Sequence, residues 1–342
     1  MYGWSRNLKV LSVALLVVLV ATAVSCGVGQ APSQGGGGDG GPAKICMMPK
    51  LVGIPYFNAS EKGAEEAAKE LDVELVYDGP TEAKAALQSQ MIEQFIQQQC
   101  GAITVAANDP NALAPAMKNA DNAGIATGAW DADVAPDARD VFVNQATFEA
   151  IGYELVDVMA EQTGGKGEFL VITGSLTAPN QVAWLKEMRE RMKEKYPDMS
   201  IAAVEPGEED LQKGIDLTKN YLRANPDTAG VFGITSVALP GAAEAVEQLG
   251  RGGEVPVTGL STPNEMKPYL NSGAVEKFVL WNPVDLGYLA VYVADAQING
   301  NLPKSGTFEA GRLGKVKMLA PDEVLLGPPL VFSKENINDY DF

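Results

Sequence analysis

Several groups of polar and aromatic residues follow directly on short apolar runs. In the first half of the chain they are Lys50, Tyr56-Phe57, Asn108-Asp109 and Trp130-Asp131-Ala132-Asp133. In the second half they are Thr173 to Gln181, Ile234-Thr235-Ser236, Ser261-Thr262 and Trp281-Asn282. The set combines aromatic faces with Asp, Asn, Gln, Thr, Ser and one Lys. Sugars need this mixture. Each sugar hydroxyl both donates and accepts, which suits planar amide and carboxylate groups. The C–H faces of a sugar ring pack on aromatic rings. In a dry cleft an unpaired buried group costs about 1–3 kcal/mol, so every polar partner counts. Each residue also has a plainer reading: Trp130 as core filling, Asp131 and Asp133 as turn or cap residues, Lys50 as a surface lysine. Their joint placement at strand ends is the stronger argument.

Other chemistries are poorly supplied. The 342 residues contain no His, which removes Ser-His-Asp and Cys-His catalysis and the commonest zinc ligand. No GxxxxGK[ST] or GxGxxG run cradles a phosphate. Asp131 and Asp133 lie two apart on one segment, which does not define a carboxylate pair across a scissile bond, and no calcium-loop spacing is present. The expectation is a binding protein without catalytic residues, metal or cofactor. A net charge of −18 argues against nucleic acid. The acid is dispersed along helices, as on a soluble surface.

These residues need elements to position them. Lys44 to Leu71 reads as a buried strand, a Pro/Gly-bearing loop and an amphipathic helix with Asn58 or Ser60 as N-cap. Strands at 73–77, 102–106 and 125–130 alternate with helices at 81–98 and 110–123, which implies a parallel sheet covered by helices. The rhythm breaks from Asp131 to Val141. It restarts with helices near 148–162, 181–196, 210–224 and 238–249 and strands near 169–173, 201–204, 229–233 and 257–260. The fold class is therefore α/β, with two similar lobes. Residues 275–281 read as a strand and 284–298 as a helix apolar on most sides, hence deeply buried. Such a helix late in the chain returns to the first lobe, so several segments join the lobes as a hinge. In an open α/β sheet, ligands bind outside the carboxyl ends of the strands.

The N-terminus has its own logic. Arg6 and Lys9 precede the apolar run Val10 to Val24, which is short for a spanning helix. Ala23-Val24-Ser25-Cys26 looks like the signal that precedes a lipidated cysteine, so residues 1–26 read as a lipoprotein signal with Cys26 lipidated. The alternative is an ordinary signal peptide. Residues 27–43, with the tract Gly35-Gly36-Gly37-Gly38-Asp39-Gly40-Gly41, read as a flexible tether. Both readings export the chain, and in an oxidising compartment Cys46 and Cys100 form a possible pair.

Lys44 to Phe342 resembles the sugar-binding proteins of ABC importers, of the ribose-binding-like type with the periplasmic-binding-protein type I fold. The autoinducer-2-binding and rhamnose-binding branch is the nearest in pattern. The stretches that carry this are PKLVGIPYFNASEKGAEEAAKEL, VYDGPTEA, TGAWDADV, VNQ, GLSTPNEMKPYLNSGAVEKFVLWNPVDLGYLAVYVADA and FSKENINDYDF. The resemblance implies two Rossmann-like lobes joined by a multi-segment hinge, a ligand clamped between them, and an ABC permease as partner. It places the first lobe at 44–141 plus 282–312 and the second at 142–281 plus 313–342. Lys50 and Asp131 then hold ligand hydroxyls from the first lobe, and Asn180, Gln181 and Ser236 from the second, with Ile234 acting through its backbone. Phe57, Trp130 and Trp281 form walls. Asn180 stands where autoinducer-2 binders carry aspartate, and Ile234 and Ser236 where they carry proline and alanine. These departures suit a rhamnose-like monosaccharide at least as well as an autoinducer-2-like diol. The expected protein is a monomeric, lipid-anchored importer component outside the cytoplasm. The other readings are a ligand-presenting partner of a membrane receptor and an exported sugar hydrolase.

Overall fold

A computed structural model describes residues 42–342; the signal segment, Cys26 and the glycine tract lie outside the described residues. The chain runs β1 (Lys44–Met48), α1 (Pro55–Leu71), β2 (Glu74–Tyr77), α2 (Ala85–Gln97), β3 (Ala102–Val105), α3 (Pro110–Asn122), β4 (Ala126–Trp130) and β5 (Val141–Asn144). It then passes to α4 (Phe148–Thr163), β6 (Lys166–Thr173), α5 (Pro179–Lys195), β7 (Asp198–Pro206), α6 (Leu211–Ala224), β8 (Gly230–Gly233), α7 (Ala238–Gln248), β9 (Val257–Gly259), α8 (Pro263–Ser272) and β10 (Lys277–Leu280). It finishes with α9 (Pro283–Ile298), β11 (Thr307–Glu309), β12 (Lys315–Ala320), β13 (Glu323–Leu325) and β14 (Leu330–Ser333).

Apolar runs become central strands because helices cover both sides of them. In β3 and β5 every residue is buried. The first sheet has the order β11-β12-β13-β5-β4-β3-β1-β2, parallel from β13 to β2. The second has the order β7-β6-β8-β9, all parallel, and β10 pairs antiparallel with β14 beside it. The two-lobed parallel α/β class follows the alternation in the sequence.

Three departures from the sequence expectation bear on how the lobes are joined and how the cleft is lined. Helix α1 starts at Pro55 with Ile54 as N-cap, not at Asn58 or Ser60. Proline pre-sets the first helical turn and gives up an N–H that is unpaired there anyway, and Ser60 Oγ instead donates to Tyr56 O within the helix at 3.1 Å. Strand β5 continues the first sheet to Asn144, so the first crossing falls at residues 145–147, beyond the expected 141/142 boundary. Residues 313–326 belong to the first sheet, not the second lobe, because β13 pairs in parallel with β5. That pairing spans most of the chain and leaves no periodic trace in so short a strand. Only the last segment joins the second lobe. There Phe332 stacks on Phe278 with centroids 5.0 Å apart, and Tyr340 meets Phe332 edge-on at 4.9 Å.

Helix α9 returns to the first lobe and lies on α1 with the two backbones in contact. A Cβ on Gly63 would overlap Val284 O, and one on Gly287 would overlap Ser60 O. Only glycine permits such an approach. It sets the start of α1, which carries Tyr56 and Phe57, beside the start of α9, which follows Trp281. Cys46 and Cys100 are bonded as a disulfide, with Cα atoms 5.9 Å apart.

Candidate functional site

The carboxyl ends of both sheets face one cleft, and the cavity between them is lined by residues from each lobe and from the second crossing. Lys50, Ile54, Tyr56, Phe57 and Asp131 come from the first lobe; Asn180, Gln181, Trp184, Glu209, Ile234, Thr235, Ser236, Leu260 and Leu280 come from the second; and Trp281 lies in the crossing. The cavity encloses about 380 Å³ of non-atom space, counting the part open to solvent.

Asp131 sits at the centre of a tight turn that closes β4. Its φ is +61°, and Ala132 N donates to Trp130 O at 2.6 Å across it. This left-handed γ-turn is strained, and Asp tolerates it better than most residues. Strain of this kind is held where surrounding structure over-determines it, often at ligand sites. The turn directs the carboxylate into the cleft, where Tyr56 Oη donates to Asp131 Oδ1 at 2.7 Å and Lys50 Nζ lies 3.6 Å from Oδ2. Burial pushes the Asp131 carboxyl up, and the Lys50 charge and the Tyr56 hydrogen bond oppose that shift. Burial and the adjacent Asp131 also push the Tyr56 phenol well above its usual range, so it remains a donor. Trp281 Nε1 in turn donates to Tyr56 Oη at 2.9 Å.

Asn180 and Gln181 open α5, just after its Pro179. Asn180 Oδ1 accepts from Lys50 Nζ at 2.9 Å, and Asn180 Nδ2 donates to Asp131 Oδ2 at 3.4 Å, both across the cleft. Gln181 Oε1 is fully used within its own lobe, accepting from Thr173 Oγ1 at 2.7 Å, Gly174 N at 3.0 Å and Ser175 N at 2.9 Å. Only its amide N–H₂ remains to face the cavity. Behind Lys50, Asn108 Nδ2 donates to the Lys50 carbonyl at 2.8 Å, and Gln88 Oε1 accepts from Asn108 N at 2.9 Å.

Of the residues singled out from the sequence, Lys50, Phe57, Asp131, Asn180, Gln181, Ile234, Ser236 and Trp281 all line the cavity. Trp130 is not among the lining residues. It is fully buried behind Phe57, its ring meets Phe57 edge-on at 5.7 Å, and its Nε1 donates to Met48 O at 3.2 Å. A bulky ring at the last position of β4 fills the core beneath the turn. The neighbouring candidates are structural too. Asp133 accepts from Arg139, Asp109 caps α3 and Asn282 caps α9.

Glu209 and Trp184 were not expected in the wall. Glu209 lies in the turn after β7, within the acidic run Glu205 to Asp210, which reads as a solvated loop. The signal that marks it is Pro206-Gly207 stopping a strand at the cleft edge. Trp184 follows Asn180 by one helical turn and so shares its face. Tyr56, grouped with Phe57 from the sequence but given no separate role, also lines the cavity. Among the described residues no cluster of His, Cys, Asp and Glu is placed to hold a metal ion, and no helix is long and apolar enough to cross a membrane.

Residues 45–302 match the family model described as a periplasmic binding protein domain. The xylitol-binding protein of Mycolicibacterium smegmatis is 25% identical over 259 residues, 73% of each chain. The D-allose-binding periplasmic protein of Escherichia coli is 24% identical over 76% of this chain and 86% of its own. Among solved structures, an ABC transporter solute binding protein from Clostridium phytofermentas with bound L-rhamnose superposes with a TM-score of 0.83 at 30% identity, covering 87% of this chain and 98% of that one. LsrB from Clostridium saccharobutylicum in complex with AI-2 superposes with a TM-score of 0.84 at 28% identity, covering 88% and 100%.

Proposed function

This chain belongs to the periplasmic binding protein family, as a sugar-binding component of the ABC transporter type, and we propose that it captures a small neutral sugar, rhamnose-like or an autoinducer-2-like diol, outside the cytoplasm for import. The observation that carries this reading is the composition of one cavity wall. Lys50 and Asp131 from one lobe meet Asn180 and Gln181 from the other, each buried, among the rings of Tyr56, Phe57, Trp184 and Trp281. Planar hydrogen-bonding groups from both lobes, with aromatic faces between them, match a ring whose hydroxyls lie at its edge and whose C–H bonds lie on its faces.

Binding across two lobes gives the ligand a preference for the closed arrangement, which is what drives a hinge to close. The related proteins named above are binding proteins, and no bond-making chemistry is assigned here. We assign the N-terminal segment to export and Cys26 to lipid anchoring, with a membrane permease as the receiving partner. Thermal-shift measurements with L-rhamnose, D-ribose, D-allose, D-arabinose, xylitol and autoinducer-2 test the ligand class. At least one should raise the melting temperature, because a ligand that binds only the native state stabilises it. No shift with any of them would sink the reading. Incorporation of labelled palmitate that persists in Cys26→Ser would sink the anchor.

A further inference from the structure

Two buried polar atoms of the cavity wall, Trp184 Nε1 and Glu209 Oε2, have no hydrogen-bond partner among the described residues. One is a donor and the other an acceptor, and both belong to the second lobe. Taking the cleft as a sugar site, we propose that Glu209 and Trp184 read one oxygen-bearing edge of the ligand. The Glu209 carboxyl accepts from a ligand hydroxyl, and the Trp184 indole N–H donates to a ligand oxygen. The ligand class is thereby narrowed to neutral polyols with oxygen at that edge, and sugar acids and sugar phosphates are refused.

Glu209 is built into this place. Glu208 and Glu209 have φ of +57° and +55°, two consecutive left-handed residues that non-glycine side chains rarely adopt. The turn is pinned by Gly207 N donating to Thr173 O at 2.7 Å and Glu208 N donating to Gly174 O at 2.8 Å. A Cβ on Gly174 would overlap Glu209 Oε1, so the carboxyl occupies space that only glycine at 174 leaves. Gln181 Nε2 reaches Glu209 Oε1 at 3.4 Å, which leaves the second oxygen for the ligand.

Lys50 does not cancel this charge at contact distance. Its ammonium is held by Asn180 and Asp131. A carboxylate or phosphate on the ligand would then meet Glu209 in a medium that screens poorly. A deoxy carbon at that edge would leave both atoms unpaired, and sites built to bond a hydroxyl reject analogues that lack it. Trp184 is held in place by Trp281, with centroids 5.8 Å apart. Phenylalanine can keep most of that packing while removing the donor.

The test uses the full chain and two variants, Glu209→Gln and Trp184→Phe, in calorimetric titrations. The probes are D-ribose, D-allose, L-rhamnose and xylitol, with 2-deoxy-D-ribose and D-glucuronate as the refused classes. Glu209→Gln is expected to weaken the tightest neutral sugar by about 10–100-fold and to narrow its margin over D-glucuronate at least about tenfold. Trp184→Phe is expected to weaken the same sugar by about 5–30-fold. If one variant fails to fold, the other decides. Kd values and ranking within about twofold of the unsubstituted protein would overturn the pair alone, as would a preference for D-glucuronate in the unsubstituted protein. Absence of binding by every neutral sugar would overturn the pair together with the reading beneath it.

Discussion

Lys50 Nζ donates to Asn180 Oδ1 at 2.9 Å, and this bond joins the two lobes across the cleft. The lysine follows the first strand of the first sheet, and the asparagine lies in the first turn of α5 in the other lobe. Both are almost wholly buried, at 4% and 1% exposure. Asn180→Ala should therefore loosen the closed arrangement. The expected outcome is a sugar affinity lower by about 10–100-fold, since the change leaves a buried ammonium short of a partner. Small-angle scattering of the ligand-free protein should show a larger radius of gyration. Unchanged scattering and affinity would count against the bond as a clasp.

Asp131 combines a charge with a left-handed backbone, and two substitutions separate these roles. Asp131→Asn keeps a residue that tolerates positive φ but removes the charge facing Lys50 and Tyr56. It should fold, with sugar affinity reduced by about 10–100-fold, because a ligand hydroxyl then meets a neutral amide in place of a charged acceptor. Asp131→Val should instead lose stability by about 1–3 kcal/mol from backbone strain alone, on top of losing binding. Equal melting temperatures for the two variants would contradict the strained turn.

Tyr56→Phe removes one link in the path from Trp281 to Asp131. It leaves Trp281 Nε1 without an acceptor and Asp131 Oδ1 without its donor, a cost of about 1–3 kcal/mol. Tryptophan emission should shift, and its response to sugar should shrink. A spectrum identical to that of the unsubstituted protein would mean that the indole does not sense the phenol.

Burial raises the Glu209 carboxyl pKa, and Lys50 only partly opposes it. A carboxyl whose folded pKa exceeds its unfolded value binds more protons when folded. Its contribution favours folding at low pH and is lost as pH rises through the folded pKa. Glu209→Gln removes that loss. Its melting temperature relative to the unsubstituted protein should therefore rise between about pH 4, the ordinary carboxylate range, and pH 8. A difference that is flat with pH would refute the shift.

The Cys46–Cys100 bond closes a loop over a sequence separation of 54. The chain-entropy relation gives about 4 kcal/mol for a loop of that length. Thiol reduction, or Cys46→Ala with Cys100→Ala, should lower the melting temperature by roughly 5–10 °C. Sugar affinity in the surviving native protein should be unchanged, because neither cysteine lines the cavity.

The sequence made some of this legible and hid the rest for identifiable reasons. Lys50 and Asp131 could be found because buried parallel strands leave apolar runs, and the residues after such runs face the cleft. Asn180 and Gln181 could be found because the family resemblance covers them, and both lie in the first turn of α5, which opens at Pro179. Trp130 misled because the last residue of a strand can point either to the cleft or to the core, and period-two alternation is lost in runs buried on both sides. Glu209 stayed hidden because a carboxylate in an acidic turn has no local feature that separates buried from solvated. The strands β12 and β13 were assigned to the wrong lobe because their partner β5 is remote in sequence.

Two of the three passages between the lobes are tied to each other. Leu326 N donates to Asn144 O at 2.8 Å, and Gly327 N donates to Gln145 O at 3.3 Å. Strands joined this way bend together as a ribbon, and sliding one past the other would break both bonds. The remaining passage, at Trp281, is fixed to the cleft through Tyr56. A bonded ribbon and a single strut resist sliding of one lobe past the other more than they resist a swing about the crossings. Under the proposed closure, the same facing surfaces would therefore meet each time.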